Sequence, residues 1–179
     1  MNSVPGPVVF RSTVDALLKQ VVRRQELMTD EELSAFGLAR PRDLPIAEWG
    51  QLVRLVAGRL SPAAAEGQAL EAAGREVVRG FSKELVGKGL LIVLRMLGPQ
   101  RALLRMAENF RSADNFIKLT AHVRAANHVE LIVFDTAGMP SFMVGILSEV
   151  LALIGTREHA VSVTAGSGTT MHYDITWAA

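Results

Sequence analysis

One stretch limits the fold more than any other. SFMVGILSEVLALIG, Ser141 to Gly155, holds Phe142, Met143, Val144, Ile146, Leu147, Val150, Leu151, Leu153 and Ile154, with only Ser148 and Glu149 as a polar edge. A helix that is apolar almost all round must be buried on most of its sides. Before it, Ile117, Leu119, Ala121 and Val123 alternate with Lys118, Thr120, His122 and Arg124, and a turn at Ala126-Asn127 leads into an apolar run from Val129 to Phe134. After it, Val161 and Val163 alternate with Ser162 and Thr164. Beyond Gly166-Ser167-Gly168, Met171, Tyr173, Ile175 and Trp177 then alternate with His172, Asp174 and Thr176. A period of two is the mark of half-buried strands. The last third therefore reads strand, strand, helix, strand, strand. Hairpin-linked strands this short predict an antiparallel sheet, with one face covered and one wet.

Up to Arg111 the period is helical. Val14, Leu17, Leu18, Val21 and Val22 recur at i, i+3, i+4, i+7 and i+8, one stripe on an opening helix. Thr29-Asp30-Glu31-Glu32 is a capping box, in which the hydroxyl and the carboxylate each satisfy an orphan N–H, and Gly37 stops the helix. Pro45 suits a first helical turn, followed by Trp49, Leu52, Val53 and Val56 on one face. Ser61-Pro62 is expected to open a long helix burying Leu70, Ala73, Val77 and Phe81. Two further helices are predicted, from Glu84 to Leu97 and from Gln100 to Phe110, separated by Gly98-Pro99. The fold class is α+β: a helical lobe of about six helices (1–111) packed on a four-stranded antiparallel lobe (112–179), together a single domain.

At 179 residues, 49% of them apolar, the chain can bury a real core. Its net charge of +1 gives no general pull toward nucleic acid or acidic membranes. Residues 1–111 hold 16 Lys/Arg against 12 Asp/Glu, and residues 112–179 hold 3 against 6, a mild asymmetry that salt screens. The absence of cysteine removes disulfides, thiolate nucleophiles, iron–sulfur clusters and thiolate zinc sites. No signal peptide or membrane span is legible in the sequence, so a cytoplasmic protein is expected.

LIVFDTAGMPS, Leu131 to Ser141, looks like the magnesium- and γ-phosphate-sensing segment of a GTPase. A phosphate switch also needs a glycine-rich loop ending in Lys-Ser or Lys-Thr. The nearest stretch, Gly80 to Gly89, has six residues between its glycines where four are required, and Gly89 stands where a hydroxyl should hold magnesium. Asp135 to Gly138 is accordingly read as a turn, and Gly166-Ser-Gly-Thr-Thr as a hairpin loop. His122, His172 and Asp174 share the outward sheet face, where a surface metal or a general base is conceivable; with His128 and His159 they are read as solvated histidines. Arg75, Arg79 and Lys83 recur on one helical face beside Glu71, Glu76 and Glu84 and are read as ion-paired. Without interleaved aromatics or a basic domain, no nucleic-acid site is expected.

Leu90 to Met96 demands cover as the C-terminal helix does, and Gly80, Gly87, Gly89 and Gly145 would permit close helix contacts or leave room for a guest. A filled core is one reading. The functional one is an apolar pocket between the lobes, lined by Phe81, Leu90, Leu94, Met139, Phe142, Met143 and Ile146.

VVFRSTVDALL, the Trp49 helix, Gly74-Arg75, Arg79-Gly80-Phe81, Gly87, Leu97-Gly98-Pro99-Gln100-Arg101, Phe110-Arg111 and the closing Tyr173-Asp-Ile-Thr-Trp177 together resemble a large paralogous family of myxobacterial proteins of unknown function. At the level of architecture, the ending behind a helical lobe also resembles the superfamily of haem-NO-binding sensors, 4-vinyl-reductase domains and TRAPP trafficking subunits. That resemblance implies a small apolar ligand or cofactor between helices and sheet, and dimerisation. The haem sensors place a proximal histidine on a helix and carry a Tyr-x-Ser-x-Arg motif. Pro140 to Ile154 holds no histidine and the motif is absent, so no cofactor is expected, histidine-ligated haem least of all. The expectation is a non-enzymatic regulatory or ligand-binding module in signalling, forming a homodimer. The alternatives are a protein-interaction adaptor with a self-filled core and, third, an enzyme using His122, His172 and Asp174.

Overall fold

The capping box forms as written: Glu32 N–H donates to Thr29 Oγ1 at 3.2 Å, and Thr29 N–H donates to Glu32 Oε2 at 2.9 Å. It opens a short helix inside a computed structural model that describes residues 6–23, 25–38, 42–83, 85–109 and 114–178. The expected helix limits at Glu84 and Phe110, and the lobe boundary at 111–112, lie outside these residues. The N-terminal helices are α1 (Arg11–Leu17), which widens into a π-turn over Leu18–Arg23, α2 (Asp30–Ala35), α3 (Ile46–Leu60), α4 (Glu66–Phe81) and α5 (Leu85–Asn109). Gly98, at φ 73° and ψ 168°, breaks α5 in two just before Pro99, so all six expected helical stretches are present. A short antiparallel ribbon, β1 (Val8–Val9) with β2 (Leu44–Pro45), has no counterpart in the sequence reading.

Two helix starts differ from expectation. Pro45 pairs with β1 and sits at the N-cap of α3, so that helix begins at Ile46. Ser61-Pro62 closes a turn, with Ala64 N–H donating to Ser61 O at 3.1 Å, and α4 begins only at Glu66. A turn there reverses the chain so that α4 packs back on α3. Phe81, expected on the buried side of α4, is 37% exposed at the helix's last residue.

The C-terminal part runs β3 (Lys118–Ala125), β4 (His128–Phe134), α6 (Pro140–Leu153), β5 (Ala160–Ala165) and β6 (Thr170–Thr176). Sheet order is β3-β4-β6-β5, antiparallel throughout, so the two hairpins meet along the central β4–β6 ladder, where Leu131 faces Tyr173 and Glu130 faces Asp174. Val123, expected inward, is exposed: the register shifts between Val123 and Ala125, and such a bulge turns the end of an edge strand aside. Two apolar cores result. One joins α1, α3 and α4 around Leu17, Leu52, Val53 and Val56; the other joins the sheet's inner face, through Val129, Leu131, Val133, Tyr173 and Ile175, to α6.

Candidate functional site

Helix α6 is the wall between those cores. Pro140 begins it, since a first-turn proline loses no helical hydrogen bond. Its Met139 flank and Phe142 belong to the helical core, Phe142 meeting Trp49 edge-on at 6.4 Å, whereas Met143, Val144, Leu147 and Leu151 belong to the sheet core. Ile146 packs against both. The α4–α6 crossing is closed by two glycines. A Cβ on Gly74 would lie 2.2 Å from Phe142 O, and one on Gly145 would lie 2.0 Å from Glu71 O. The close contact is expected of Gly145, whereas Gly74 enters the sequence analysis only within the Gly74-Arg75 motif; a small residue amid an apolar helical pattern is the signal for both. Gly89, from the same expectation, has open space beside it.

The polar edge of α6 does not face water. Ser148 and Glu149 are both buried. Arg79 Nε donates to Glu149 Oε1 at 2.9 Å and its Nη1 to Glu76 Oε1 at 2.7 Å; the Glu149 bond, then the Glu76 bond, raises the guanidinium above its ordinary value. Arg75 pairs with Glu71 at 2.7 Å, whereas Lys83 has no ion pair among the described residues. The Arg75–Arg79 face is thus ion-paired as expected, and Arg79 also tethers α6. At the other end of the wall, Tyr173 donates its hydroxyl to Pro140 O at 3.1 Å, and burial pushes its phenol well above the usual tyrosine range. That hydroxyl ties β6 to the start of α6. Spacing alone placed Tyr173 inward but not its bond.

The DTAG stretch is a turn. Asp135 and Ala137 take φ of 64° and 55°, Gly138 takes 67°, and Ala137 N–H donates to Asp135 Oδ1 at 3.0 Å. Arg54 Nη2 donates to Gly138 O at 2.9 Å, closing the turn onto α3. Gly166-Ser-Gly is a hairpin loop, with Gly166 N–H on Thr170 O at 2.9 Å.

Of the seven expected pocket residues, Leu94, Met139, Phe142 and Met143 are buried, Ile146 is half-buried, and Phe81 and Leu90 stand open. A surface cleft of about 680 Å³ lies elsewhere, between the Gly98 break, the Ala126-Asn127 turn and the loop after α6, with Arg95, Arg157 and Trp177 on its walls; it includes none of the seven. Leu90 to Met96, expected under cover, is buried only at Leu94.

On the wet sheet face, His172 Nδ1 lies 2.9 Å from Glu130 Oε1, and Arg124 pairs with the other oxygen of the same carboxylate. His172 first, then Arg124, holds Glu130 below the usual carboxylate range. His128 Nε2 lies 2.6 Å from Asp174 Oδ1. His122 opposes Glu130 across the β3–β4 ladder, and His159 Nδ1 lies 3.1 Å from Thr156 O in the loop before β5. Asp174 and His172 therefore have different partners. No group of three or more His, Asp or Glu among the described residues could hold a metal ion.

A helical layer followed by this ββαββ unit defines the fold of haem-NO-binding domains, and solved structures agree. The chain matches an Fe(II) unliganded H-NOX protein from K. algicida at TM-score 0.68 and 13% identity, over 95% of this chain and 97% of that one. It matches the protein of a study of haem redox potential and porphyrin distortion at TM-score 0.63 and 16% identity, over 94% and 99%. A T. tengcongensis H-NOX mutant matches at TM-score 0.61 and 16% identity, over 93% and 96%. At these identities the likeness is one of fold. No curated protein matches in sequence. Residues 7–178 match a family described as a protein of unknown function, DUF2378, and the chain belongs to that family.

The interior does not fit a histidine-ligated haem. His122, His128 and His172 lie on strands with outward side chains, His159 precedes β5, and no helix carries a histidine. Tyr173, the one tyrosine, spends its hydroxyl on Pro140 O. No helix among the described residues is long and apolar enough to cross a membrane.

Proposed function

We propose that this chain is a non-enzymatic regulatory or ligand-binding module, a single two-lobed domain that takes a small apolar ligand between helices and sheet. One observation supports it above the rest: α6 sends buried side chains into both cores, and Ile146 touches both. A guest at that wall would be lined by Met139, Phe142, Met143, Ile146 and Leu94, with Phe81 and Leu90 at an open mouth. The H-NOX likeness agrees, since one of those structures concerns a haem protein; here the guest is held by apolar contact, without a histidine–metal bond. Mass spectrometry of the purified, denatured protein should release one apolar molecule in near-stoichiometric amount, and Ile146→Trp should reduce it. Adding the molecule back to stripped protein at about 100 times its Kd should stabilise the fold by about 2.7 kcal/mol. A clean spectrum together with unchanged melting across an apolar library would sink the proposal.

The module is also read as a homodimer, which draws on the exposed Ile92, Val93 and Met96 of α5; a protein-interaction adaptor with a self-filled core is the alternative. Native mass spectrometry at micromolar concentration tests the homodimer. A lone 19.4 kDa species would count against it.

A further inference from the structure

Seven large apolar side chains stand exposed among the described residues, and four of them occupy two turns of α5: Leu90 at 46%, Ile92 at 60%, Val93 at 51% and Met96 at 83%. Gly89, Ile92, Val93 and Met96 recur at i, i+3, i+4 and i+7, which is one face of a helix. The face is uneven. A Cβ added at Gly89 would meet nothing within 4 Å, so the stripe is bare and open at one end, while the long, pliable Met96 projects at the other.

We infer that this stripe is the contact between two copies of the chain, their α5 helices running antiparallel about a two-fold axis between Ile92 and Val93. This rests on the homodimer reading above and names its surface. A two-fold contact requires a patch complementary to itself, so that whatever residue i meets, its counterpart meets in return. A projecting side chain and a bare position seven residues apart satisfy that requirement: Met96 of each copy covers Gly89 of the other, and Ile92 lies against Val93. In an antiparallel pair each flank meets its own counterpart, so Leu90 and Leu97 of the two copies line one side of the seam, while Lys88 and Arg95 line the other, where their long stems let the charged heads reach water. Arg95 is already held on one side, its Nε donating to Leu153 O at 2.8 Å, which anchors the stripe to the end of α6. Doubling four side chains that are half to four-fifths open buries on the order of 1,000 Å², the lower limit for a specific interface.

The absence of cysteine from the chain makes a direct test available. Gly89→Cys and Met96→Cys are prepared separately, then mixed and oxidised. The mixture should form a disulfide-linked pair in several-fold excess over either variant alone. Identical positions sit about 10 Å apart along the axis in this register, beyond the Cα span a disulfide tolerates. In parallel, sedimentation of I92E and M96E should show dimerisation weakened at least about thirtyfold, with unchanged far-UV circular dichroism because both positions are exposed in one copy. A wild-type dimer that survives both substitutions, or that cross-links equally in every combination, overturns this surface and leaves the homodimer standing. A wild-type chain that stays monomeric throughout the micromolar range overturns both.

Discussion

Helix α6 and the first half of α5, Leu85 to Leu97, are almost equally rich in apolar residues and have opposite fates. Helix α6 has sheet on one side and α4 on the other, and even its glutamate is buried. Among the described side chains in the first half of α5, only Leu94 is buried, while Leu90, Ile92, Val93 and Met96 stand in solvent. Composition does not separate them; connectivity does. The two hairpins flanking α6 pair with each other through β4 and β6, so the helix joining them is drawn across the sheet's apolar face. Helix α5 has a strand only after it, and the break at Gly98 frees its first half from the direction of its second. An apolar helix states that it wants cover. Only topology says whether its own chain supplies that cover.

The contrast can be broken by glycine substitutions of opposite sign. Gly145→Val on α6 must displace the backbone of α4 and should cost about 3 kcal/mol or more of unfolding free energy, whereas Gly89→Ala on α5 meets open space and should stabilise by up to about 1 kcal/mol. Urea denaturation of both variants decides it, and similar losses at the two sites would mean that α5 is packed after all. Truncation gives the next largest difference. Leu147→Ala should lose about 2–5 kcal/mol by opening a cavity, while Ile92→Ala should fall within about 0.5 kcal/mol when measured on dilute monomer.

Polar ties give smaller effects. Arg79→Gln leaves the buried Glu149 carboxylate without its ion partner and should cost about 2 kcal/mol, a loss that Glu149→Gln in the same background should partly restore. Tyr173→Phe removes the bond to Pro140 O and should cost about 1 kcal/mol. The smallest effect belongs to the wet sheet face. Glu130 is held below the usual carboxylate range, so its contribution is complete above that range and fades as the pH falls below it. His172→Gln should therefore flatten the acid limb of the melting temperature against pH; an unchanged limb would remove Glu130 from the account.

Much of the architecture was legible. Alternation at Leu119 and Ala121, at Val161 and Val163, and from Met171 to Trp177 marked strands because a sheet with one wet face imposes a period of two. Thr29 and Glu32 marked a helix start because their capping bonds are local. The starts of α3 and α4 were misplaced because Pro45 and Pro62 are equally at home in a short ribbon and in a turn, and distant partners chose between these. Within the candidate site, the letters placed Phe142, Met143 and Tyr173 inward. They could not show that Gly74 meets Gly145, that Arg79 reaches Glu149 seventy residues away, or that Tyr173 holds Pro140. Each of these depends on two elements being brought together.

The sequence by itself determined the six helical stretches, the four strands of the main sheet, and that the segment after Pro140 must be covered, because periodicity and capping act within a few residues. The tertiary structure alone decided that α6 divides two cores, that its glutamate is buried against an arginine, and that α5 keeps an apolar stripe uncovered. Burial is a property of what arrives from elsewhere in the chain, and no local pattern encodes that arrival.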